Sequence, residues 1–400
     1  MSDVIKLGLK ENWRQFSLLV LVNAFVGGMV GLERTIIPEF AAQQFGLTSA
    51  SAVTSFIIAF GITKAIANYY YGRFADKVGR KNLLILGWLI ALPIPFVLIY
   101  APSWNWVVFA NVLLGISQGL TWSSTVVMKI DLVGPKNRGF AMGLNEFSGY
   151  FAVGVVAFAT GLVANAYGVN PYPFYIGIAL SLAGLLITVI WVRDTRGHVV
   201  QEAIDDNTRH LEHLFLDTSF RHRALSSITQ AGFVNNLNDA MIWGLLPVLL
   251  FSMEYNASEV GLVAAIYPAV WGIGQLGTGR LADIIQKKRL LFWGMLAQGL
   301  AIMGLSQFTD MPALIAISVI LGAGTALVYP TFLSAIADAT HPDQRAGSIG
   351  IFRFWRDLGY AAGALISGVA AVLFGVEYAI LLIGLITILS SLIVKLRMPE

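Results

Sequence analysis

The sequence predicts an all-α membrane protein, built as two six-helix bundles that are related by a pseudo-two-fold axis. Composition gives the first reason: 56% of the 400 residues are hydrophobic, 12% are charged and the mean hydropathy is +0.71. A soluble domain with so little polar surface would not stay in solution. The other two reasons are twelve long apolar stretches and an internal repeat of about half the chain.

The apolar stretches define the elements. A helix needs about 20 apolar residues to cross about 30 Å of hydrocarbon. We expect the first stretch to stay on the protein, because it ends in Glu33 and Arg34 and lacks the cleavage pattern of a signal peptide. The spans divide the chain into an N-terminal bundle (1–193), a cytoplasmic linker (194–223) and a C-terminal bundle (224–400). They lie near residues 16–38, 50–72, 82–101, 104–128, 139–166, 172–193, 224–253, 258–280, 289–308, 312–337, 346–374 and 377–394.

The repeat relates the two halves. The segment GRFADKVGRK (72–81) recurs as GRLADIIQKK (279–288), at an offset of 207 residues. The same offset aligns residues 135–161 with 342–368 and Asp131 with Asp338. A repeat this long indicates two homologous halves that enclose a central site.

The basic residues predict the orientation, since Lys and Arg accumulate in short loops on the cytoplasmic side. With the N-terminus placed inside, the loops on that side carry 22 of the 26 Lys and Arg residues, and the outer loops carry none. We therefore expect both termini to be cytoplasmic, in the inner membrane of a prokaryotic cell. The net charge of +3 then reflects topology, and no nucleic-acid partner is predicted.

The linker is charged and carries four of the five histidines. Leu211, Leu214 and Phe215 have helical spacing, which predicts a short amphipathic helix. His210 and His213 are three residues apart, a spacing that can hold a metal. Because no cysteine or third ligand accompanies them, we expect a solvated linker and assign no metal.

GRFADKVGRK resembles the signature between helices 2 and 3 of the major facilitator superfamily, and the degenerate second copy and the six-plus-six arrangement are similar too. The resemblance covers essentially the whole chain. It implies transport by alternating access, in which the halves rock about a midplane site. Helices 1, 4, 7 and 10 would line the cavity, with help from helices 2, 5, 8 and 11.

The cytoplasmic motif has a physical interpretation. Asp76 can cap the dipole of a neighbouring helix while Arg80 pairs with an acid such as Asp131, which would lock this face in one state. The alternative is a static topology anchor. The candidate gating residues are Gly72, Asp76, Gly79, Arg80, Lys81, Asp131, Arg138, Gly279, Asp283, Asp338 and Arg345.

Ionisable groups inside spans are the main functional candidates, because a lone charge there costs at least a few kcal/mol. Four are acidic and four are basic, so every charge could be neutralised internally. These candidates for substrate binding or proton coupling are Glu33, Arg34, Lys64, Glu146, Asp239, Arg353, Arg356 and Asp357.

Depth along the helices predicts two pairings. Lys64 lies about 12 Å and Asp357 about 17 Å from the cytoplasmic end, so they could form a salt bridge between helices 2 and 11. Glu146 and Arg353 occupy the same position of the two repeats and could face each other across the pore. Arg353, Arg356 and Asp357 share one helical face. That cluster either clamps helix 11 to helix 2 or couples substrate and proton.

Helix 1 ends in GLERTIIPEF, which resembles the end of helix 1 in drug and proton antiporters of the superfamily, with Glu33 at the acidic position. An acid whose surroundings alternate between wet and closed can exchange protons near neutrality, and Arg34 could supply the switch. Alternatively, the two form an interfacial pair that snorkels to the outer headgroups. Asp239 is deeper and is the better candidate for a proton carrier.

Aromatic and polar side chains at cavity-lining positions complete the candidate site. A single Trp more often packs or anchors at the interface than binds a ligand. Trp122 and Tyr329 are nevertheless repeat mates. The candidates are Asn23, Asn111, Gln118, Trp122, Asn235, Asn236, Asn238, Trp243, Trp271, Tyr329 and Trp355.

The sequence thus predicts a proton-coupled secondary transporter of a small organic solute, with export slightly favoured. The alternative is a proton symporter or uniporter that imports a small nutrient or organic anion. An enzyme is disfavoured, because the sequence contains no HExxH motif, nucleophile elbow or P-loop. The expected partners are the solute, protons and the lipid bilayer, and we expect a monomer without a cofactor.

Overall fold

The computed structural model describes residues 5–47 and 50–399, and these contain helices and no strand. Within the helices, the side chains of residues 34, 35, 50–54, 205, 257 and 258 lie outside the description. The α-helices are α1 (Trp13–Phe45), α2 (Ala50–Val78), α3 (Arg80–Ala91), α4 (Ile94–Ile99), α5 (Trp104–Val133), α6 (Arg138–Tyr167), α7 (Tyr172–Ile190), α8 (Arg196–Asp205), α9 (Leu214–Leu216), α10 (Arg223–Ser252), α11 (Ala257–Ile284), α12 (Lys287–Leu305), α13 (Met311–Asp338), α14 (Pro342–Phe374) and α15 (Val376–Arg397).

Each of the twelve predicted stretches is helical, and the third comprises α3 and α4. By length and hydropathy, eight of the described helical stretches are able to span a membrane: Trp13–Phe45, Arg80–Ile99, Pro135–Tyr167, Tyr172–Ile190, Glu259–Ile284, Met311–Asp338, Pro342–Phe374 and Val376–Arg397. The four others are α2, α5, α10 and α12. Of these, α5 and α10 carry most of the polar residues that form the candidate site.

Helix breaks occur where the backbone chemistry requires them. Gly79 separates α2 from α3 with a φ of 98°, a conformation that glycine adopts without steric cost. Pro93 separates α3 from α4, because a proline cannot donate the next helical hydrogen bond. Asp310 caps α13 by accepting from the Ala313 amide at 3.1 Å.

The linker helix predicted around Leu211 is wrong in position. Helix α8 occupies the first part of the linker, and only the short α9 and a π-helical turn, Asp217–Arg221, follow. The apolar Phe215 serves tertiary packing instead, since its ring lies 6.4 Å from that of Trp355. His210 is exposed and lies outside any helix, with its ring 3.9 Å from that of His341, so a shared helix face with His213 is also wrong.

The chain forms two compact units. Unit 1 comprises Met1–Gly134, Asn145–Asn207 and Pro342–Gly350. Unit 2 comprises Pro135–Leu144, Thr208–His341 and Ile351–Glu400. The first turns of α14 therefore belong to unit 1, where Gly350 lies against α2 and Arg345 lies near Asp131 of α5. The first turns of α6 belong to unit 2, where Gly139 lies against α11.

Small residues let helices approach closely in both units, as in other membrane bundles. In unit 1, a Cβ on Gly27 or Gly31 of α1 would collide with the backbone of Gly149 or Val153 of α6. In unit 2 the corresponding helices are α10 and α14, and here the glycine belongs to α14. A Cβ on Gly363 of α14 would collide with the α10 backbone. These contacts hold the helices that carry the candidate site.

Candidate functional site

A buried cluster in unit 2 contains Asp239, which the sequence predicts to lie deeper than Glu33. Asp239 of α10 is 6% exposed, and its carboxylate accepts a hydrogen bond from the hydroxyl of Tyr267 on α11. One turn before Asp239, Asn236 accepts from Nε of Arg356 on α14 at 3.1 Å. One face of α10 therefore presents both an acid and an amide to its neighbours.

Aromatic rings connect the two ends of this cluster. Tyr267 and Trp271, one turn apart on α11, have ring centroids 5.9 Å apart, and Trp271 lies 4.8 Å from Tyr329 of α13. The Arg356 guanidinium lies 4.1 Å from the Tyr329 ring centroid and donates to its hydroxyl. The acid and the cation thus share a wall of three rings, and a cation over an aromatic face is a strong interaction when it is desolvated.

The buried acid of unit 1 has a different environment. Glu146 of α6 accepts from the indole of Trp122 at 3.2 Å and from the amide of Asn145 at 2.8 Å. Asn145 in turn accepts from Lys129 of α5 at 2.5 Å, and Lys129 is fully buried. Glu146 and Lys129 are therefore two opposite charges joined through one amide, which offsets the cost of burying each.

Further polar contacts stiffen the same region of unit 1. Asn23 of α1 donates to the Asn145 carbonyl at 2.7 Å and accepts from Thr125 at 2.8 Å. The ammonium of Lys64 on α2 lies 5.5 Å from the ring centroid of Phe60 and 5.6 Å from that of Trp122. Polar contacts thereby connect α1 to α5 and α6, and a cation–π contact connects α2 to α5.

Glu33 is 2% exposed, so its carboxylate lies inside unit 1. It borders a cavity of about 20 Å³ whose other lining residues include Asn111, Phe56 and Phe60. A cavity of this size holds about one water molecule. The side chain of Arg34, the expected partner of Glu33, lies outside the described residues.

Two networks of charged residues lie at the helix ends that adjoin the motif (72–81) and its repeat (279–288). In unit 1, Arg80 lies 2.7 Å from Asp76 and 3.1 Å from Asp131, and Thr195 also donates to Asp131 at 2.7 Å. Arg345 of α14 lies 3.8 Å from Asp131. Arg80 of the motif and Arg345 of α14 thus both lie close to the buried Asp131.

The repeat-related network in unit 2 is similar but not identical. Arg138 and Lys287 contact Asp338 at 2.7 and 2.6 Å. Asp283, the mate of Asp76, accepts from the Gly139 and Phe140 amides at 2.7 and 2.9 Å and so caps the start of α6. The motif glycines have steric roles, since a Cβ on Gly72 would collide with the carbonyl of Ala346 in unit 1. Gly279 packs equally closely on Gly139 and Gly143 in unit 2.

Other predicted site residues lie elsewhere. Trp243 is 47% exposed on α10, and Trp355 donates to Ser219 of the linker at 2.9 Å. Asn238 packs toward α12 and α15, since it accepts from Thr387 at 2.7 Å and donates to Gln298 at 3.3 Å. The remaining polar candidates have buried side chains: Asn111, which lines the cavity beside Glu33, and Gln118, Asn235, Arg353 and Asp357.

Three residues of these clusters escaped sequence reasoning. Tyr267 looked like one more aromatic residue, although it lies one turn before Trp271. Lys129 was assigned to a cytoplasmic loop, but it belongs to α5, seven residues and therefore two turns after Trp122. That spacing places both on one helix face and could have found it. Glu202 of α8, which binds Arg345 bidentately at 2.7 and 2.9 Å, gave no sequence signal.

A chain of long apolar helices, with a buried acid and buried cations in each repeat, has the features of a membrane transporter. The sequence profile of the Major Facilitator Superfamily matches residues 18–227 and 228–400. The chain therefore belongs to the major facilitator superfamily, and it is a multi-pass integral membrane protein and a transporter rather than an enzyme.

Relatives of described function share moderate identity over most of their length. The "Proton-coupled antiporter flippase LtaA" of Staphylococcus saprophyticus is 25% identical over 92% of this chain and 89% of its own. The "Multidrug resistance protein MdtG" of Escherichia coli is 23% identical over 91% and 90%.

Two solved structures show the same two-domain fold. The human organic anion transporter MFSD10 (TETRAN) superposes with a TM-score of 0.75 at 14% identity, over 95% of this chain and 99% of its own. The proton:xylose symporter XylE superposes with a TM-score of 0.74 at 15% identity, over 97% of each chain.

Proposed function

We propose that this chain is a proton-coupled antiporter that exports a small amphipathic organic solute. The observation that carries the proposal is the buried Asp239, held by a neutral phenol beside an aromatic wall that also holds Arg356. An acid deep in a spanning helix persists when it is paired or useful. The hydrogen bond from Tyr267 positions the carboxylate without adding a charge, which leaves Asp239 able to take up and release a proton.

The same wall suits an amphipathic solute. Trp271 and Tyr329 offer apolar faces, while Arg356 and Asn236 offer donors and acceptors, the usual mixture in a small-molecule site. Protonation of Asp239 would change the charge that the solute meets, and this reciprocity between proton and solute is what antiport requires. The relatives described as a proton-coupled antiporter flippase and a multidrug resistance protein support export.

The remaining candidates have supporting roles in this proposal. Glu33, beside its small cavity, is a second acid that could exchange protons, and the Glu146–Lys129 cluster forms a neutralised wall in unit 1. The Arg80–Asp131 and Arg138–Asp338 networks close the basic ends of the helices and would open during transport. The basic loops favour a cytoplasmic position for these networks and for both termini, in a bacterial inner membrane.

A second candidate function is uptake of an organic anion by symport or uniport. Arg356 favours it, because a buried guanidinium with several donors suits a carboxylate or phosphate group. In symport, proton and solute would bind together instead of competing, and in uniport the solute would move without a proton.

The test is proton movement in proteoliposomes that contain a pH-sensitive dye and an imposed proton gradient. Amphipathic dyes of opposite charge, such as ethidium and carboxyfluorescein, would be offered beside simple sugars and organic acids. Antiport predicts that a transported solute moves against the proton flux and that Asp239→Asn abolishes the exchange. Movement of solute and protons in the same direction would establish symport. Solute flux without proton movement would refute proton coupling.

A further inference from the structure

A solvent-accessible cavity of about 600 Å³ opens in unit 1 beside the Arg80–Asp131 network, since Lys81 and Asp194 are among its lining residues. It lies where the start of α1, the start of α3 and the end of α7 meet. Its volume falls within the roughly 300–1,000 Å³ that is usual for small-molecule sites. We call it the basic pocket, and it is lined by Arg14, Gln15, Leu18, Lys81, Ile190, Trp191, Val192, Arg193 and Asp194.

The walls of the basic pocket are held in place by hydrogen bonds between the helices. Gln15 of α1 donates to the Trp191 carbonyl at 2.9 Å and accepts from the Arg193 amide at 3.0 Å. Lys81 of α3 donates to the Val189 carbonyl at 3.0 Å. The pocket is therefore preformed, which lowers the entropic cost of binding.

The pocket carries a net charge of +2, from three cations and one acid. The acid, Asp194, already has partners, since it accepts from the Lys81 amide at 3.1 Å and from the amide and Nε of Arg196 at 2.9 and 3.0 Å. Partial burial would raise the pKa of Asp194, but these hydrogen bonds and the nearby Arg196 charge lower it below its ordinary value. Arg14 and Arg193 are exposed and so keep charge available for an anion.

The rim of the pocket is apolar on one side. Ile190 is 59% exposed and Trp191 is 56% exposed. Trp13, which is not a lining residue but precedes Arg14 on α1, is 57% exposed. Exposed Trp residues at helix ends are typical of the boundary between hydrocarbon and headgroups. A ligand in this pocket would have its anionic part among the cations and an apolar part along α1 and α7.

We propose that the basic pocket binds the headgroup of an anionic glycerophospholipid, with the phosphate among Arg14, Lys81 and Arg193 and the acyl chains against Leu18, Ile190 and Trp191. Basic pockets between spanning helices are a recurrent site for anionic lipids. A free phosphate ion shares the charge but makes no use of the apolar rim. The Lys81 that lines the pocket follows directly after Arg80, so the bound lipid would contact the loop that carries the gating motif.

The test measures lipid binding to the purified full-length protein in detergent by thermal stability and native mass spectrometry. Phosphatidylglycerol is compared with phosphatidylcholine of the same chains and with glycerol phosphate. The pocket variant is Arg14→Gln with Arg193→Gln. The matched control is Arg221→Gln with Arg223→Gln, which removes two exposed cations of unit 2 outside the pocket.

We expect phosphatidylglycerol to stabilise the wild type at lower concentration than phosphatidylcholine, and native spectra to retain it selectively. The pocket variant should weaken this apparent affinity by about 10-fold to 30-fold, since each of the two surface cations contributes about fivefold. The control pair should change it less than threefold. Equal stabilisation by glycerol phosphate would overturn the lipid assignment in favour of a phosphate site. An equal loss in both variant pairs, or no preference for phosphatidylglycerol, would overturn the site itself.

Discussion

Helices α5 and α13 occupy equivalent places in the two repeats and carry an aromatic residue at the same position, Trp122 in unit 1 and Tyr329 in unit 2. The cation near each ring comes from a different helix. Lys64 of α2 lies near Trp122, whereas Arg356 of α14 lies on Tyr329. The mate of Lys64 is Trp271, and the mate of Arg356 is Gly149, which packs under the Trp122 ring. The duplication has therefore kept the interaction while moving the charge to another helix.

The buried acids of the two units, Glu146 and Asp239, also have different partners. Glu146 in unit 1 is joined through Asn145 to the buried Lys129. Asp239 in unit 2 accepts from Tyr267, whose mate in unit 1 is Phe60 and has no hydroxyl. The proposal that Asp239 carries the proton therefore depends on this difference in partners: an amide-linked lysine in unit 1 and a neutral phenol in unit 2.

The largest effect should come from Asp239→Asn. An amide cannot carry the proton, so we expect coupled transport to fall by about 100-fold or more, as for loss of other proton-transfer groups. Solute-driven proton flux in proteoliposomes measures it. The exposed Glu377→Gln is the matched acid-to-amide control and should transport normally. Normal coupling in Asp239→Asn would break the comparison.

Arg356→Gly gives unit 2 the residue that unit 1 has at this position. It removes the cation from Tyr329 and the donor from Asn236, so we expect solute transport to fall by about 10-fold to 100-fold. Arg356→Lys keeps the charge and should recover part of the activity. Transport rates at matched expression measure both. If glycine and lysine behave alike, the cation on Tyr329 is not what the site uses.

In unit 1 the expected loss is of stability. Lys129→Met and Glu146→Gln each leave an opposite charge buried without its compensation, at a cost of about 3 kcal/mol. The double variant removes both charges, so its loss should be clearly smaller than the sum of the single losses. Thermal unfolding of the three purified variants measures it. Additive losses would show that the two charges are independent.

Tyr267→Phe should have the smallest effect. It replaces the phenol by the ring found at the repeat-related Phe60 and removes one hydrogen bond to Asp239, worth about 1 kcal/mol. We expect a threefold to tenfold change in the rate of coupled transport, with stability retained, measured in the same proteoliposomes. A loss as large as that of Asp239→Asn would make the phenol itself part of the proton path.

Hydropathy and the repeat were enough to predict all twelve helical stretches, because most of them are long and apolar and the repeat relates the six of one half to the six of the other. Asp239, Arg356 and Tyr329 were predictable as polar or aromatic outliers in such spans. Their mutual contacts were not, since spacing along one helix says nothing about which residue of another helix faces it.

Two misassignments have similar physical causes. Lys129 stands at the end of an apolar stretch, where a basic residue is usually solvated, but Asn145 binds it inside unit 1. The linker pattern around Phe215 has helical spacing, but only the short α9 forms there, and the Phe215 ring packs on Phe354 and Trp355. In both cases tertiary contacts override the local signal.

The most direct test of the account is infrared difference spectroscopy of the purified protein as the pH is varied across the physiological range. It detects the carbonyl band of a carboxyl group that gains a proton and needs no knowledge of the solute. We predict a titrating carboxyl band in the wild type and in Glu146→Gln that is lost in Asp239→Asn. A band that persists in Asp239→Asn and disappears in Glu146→Gln would place the proton in unit 1 and contradict the account.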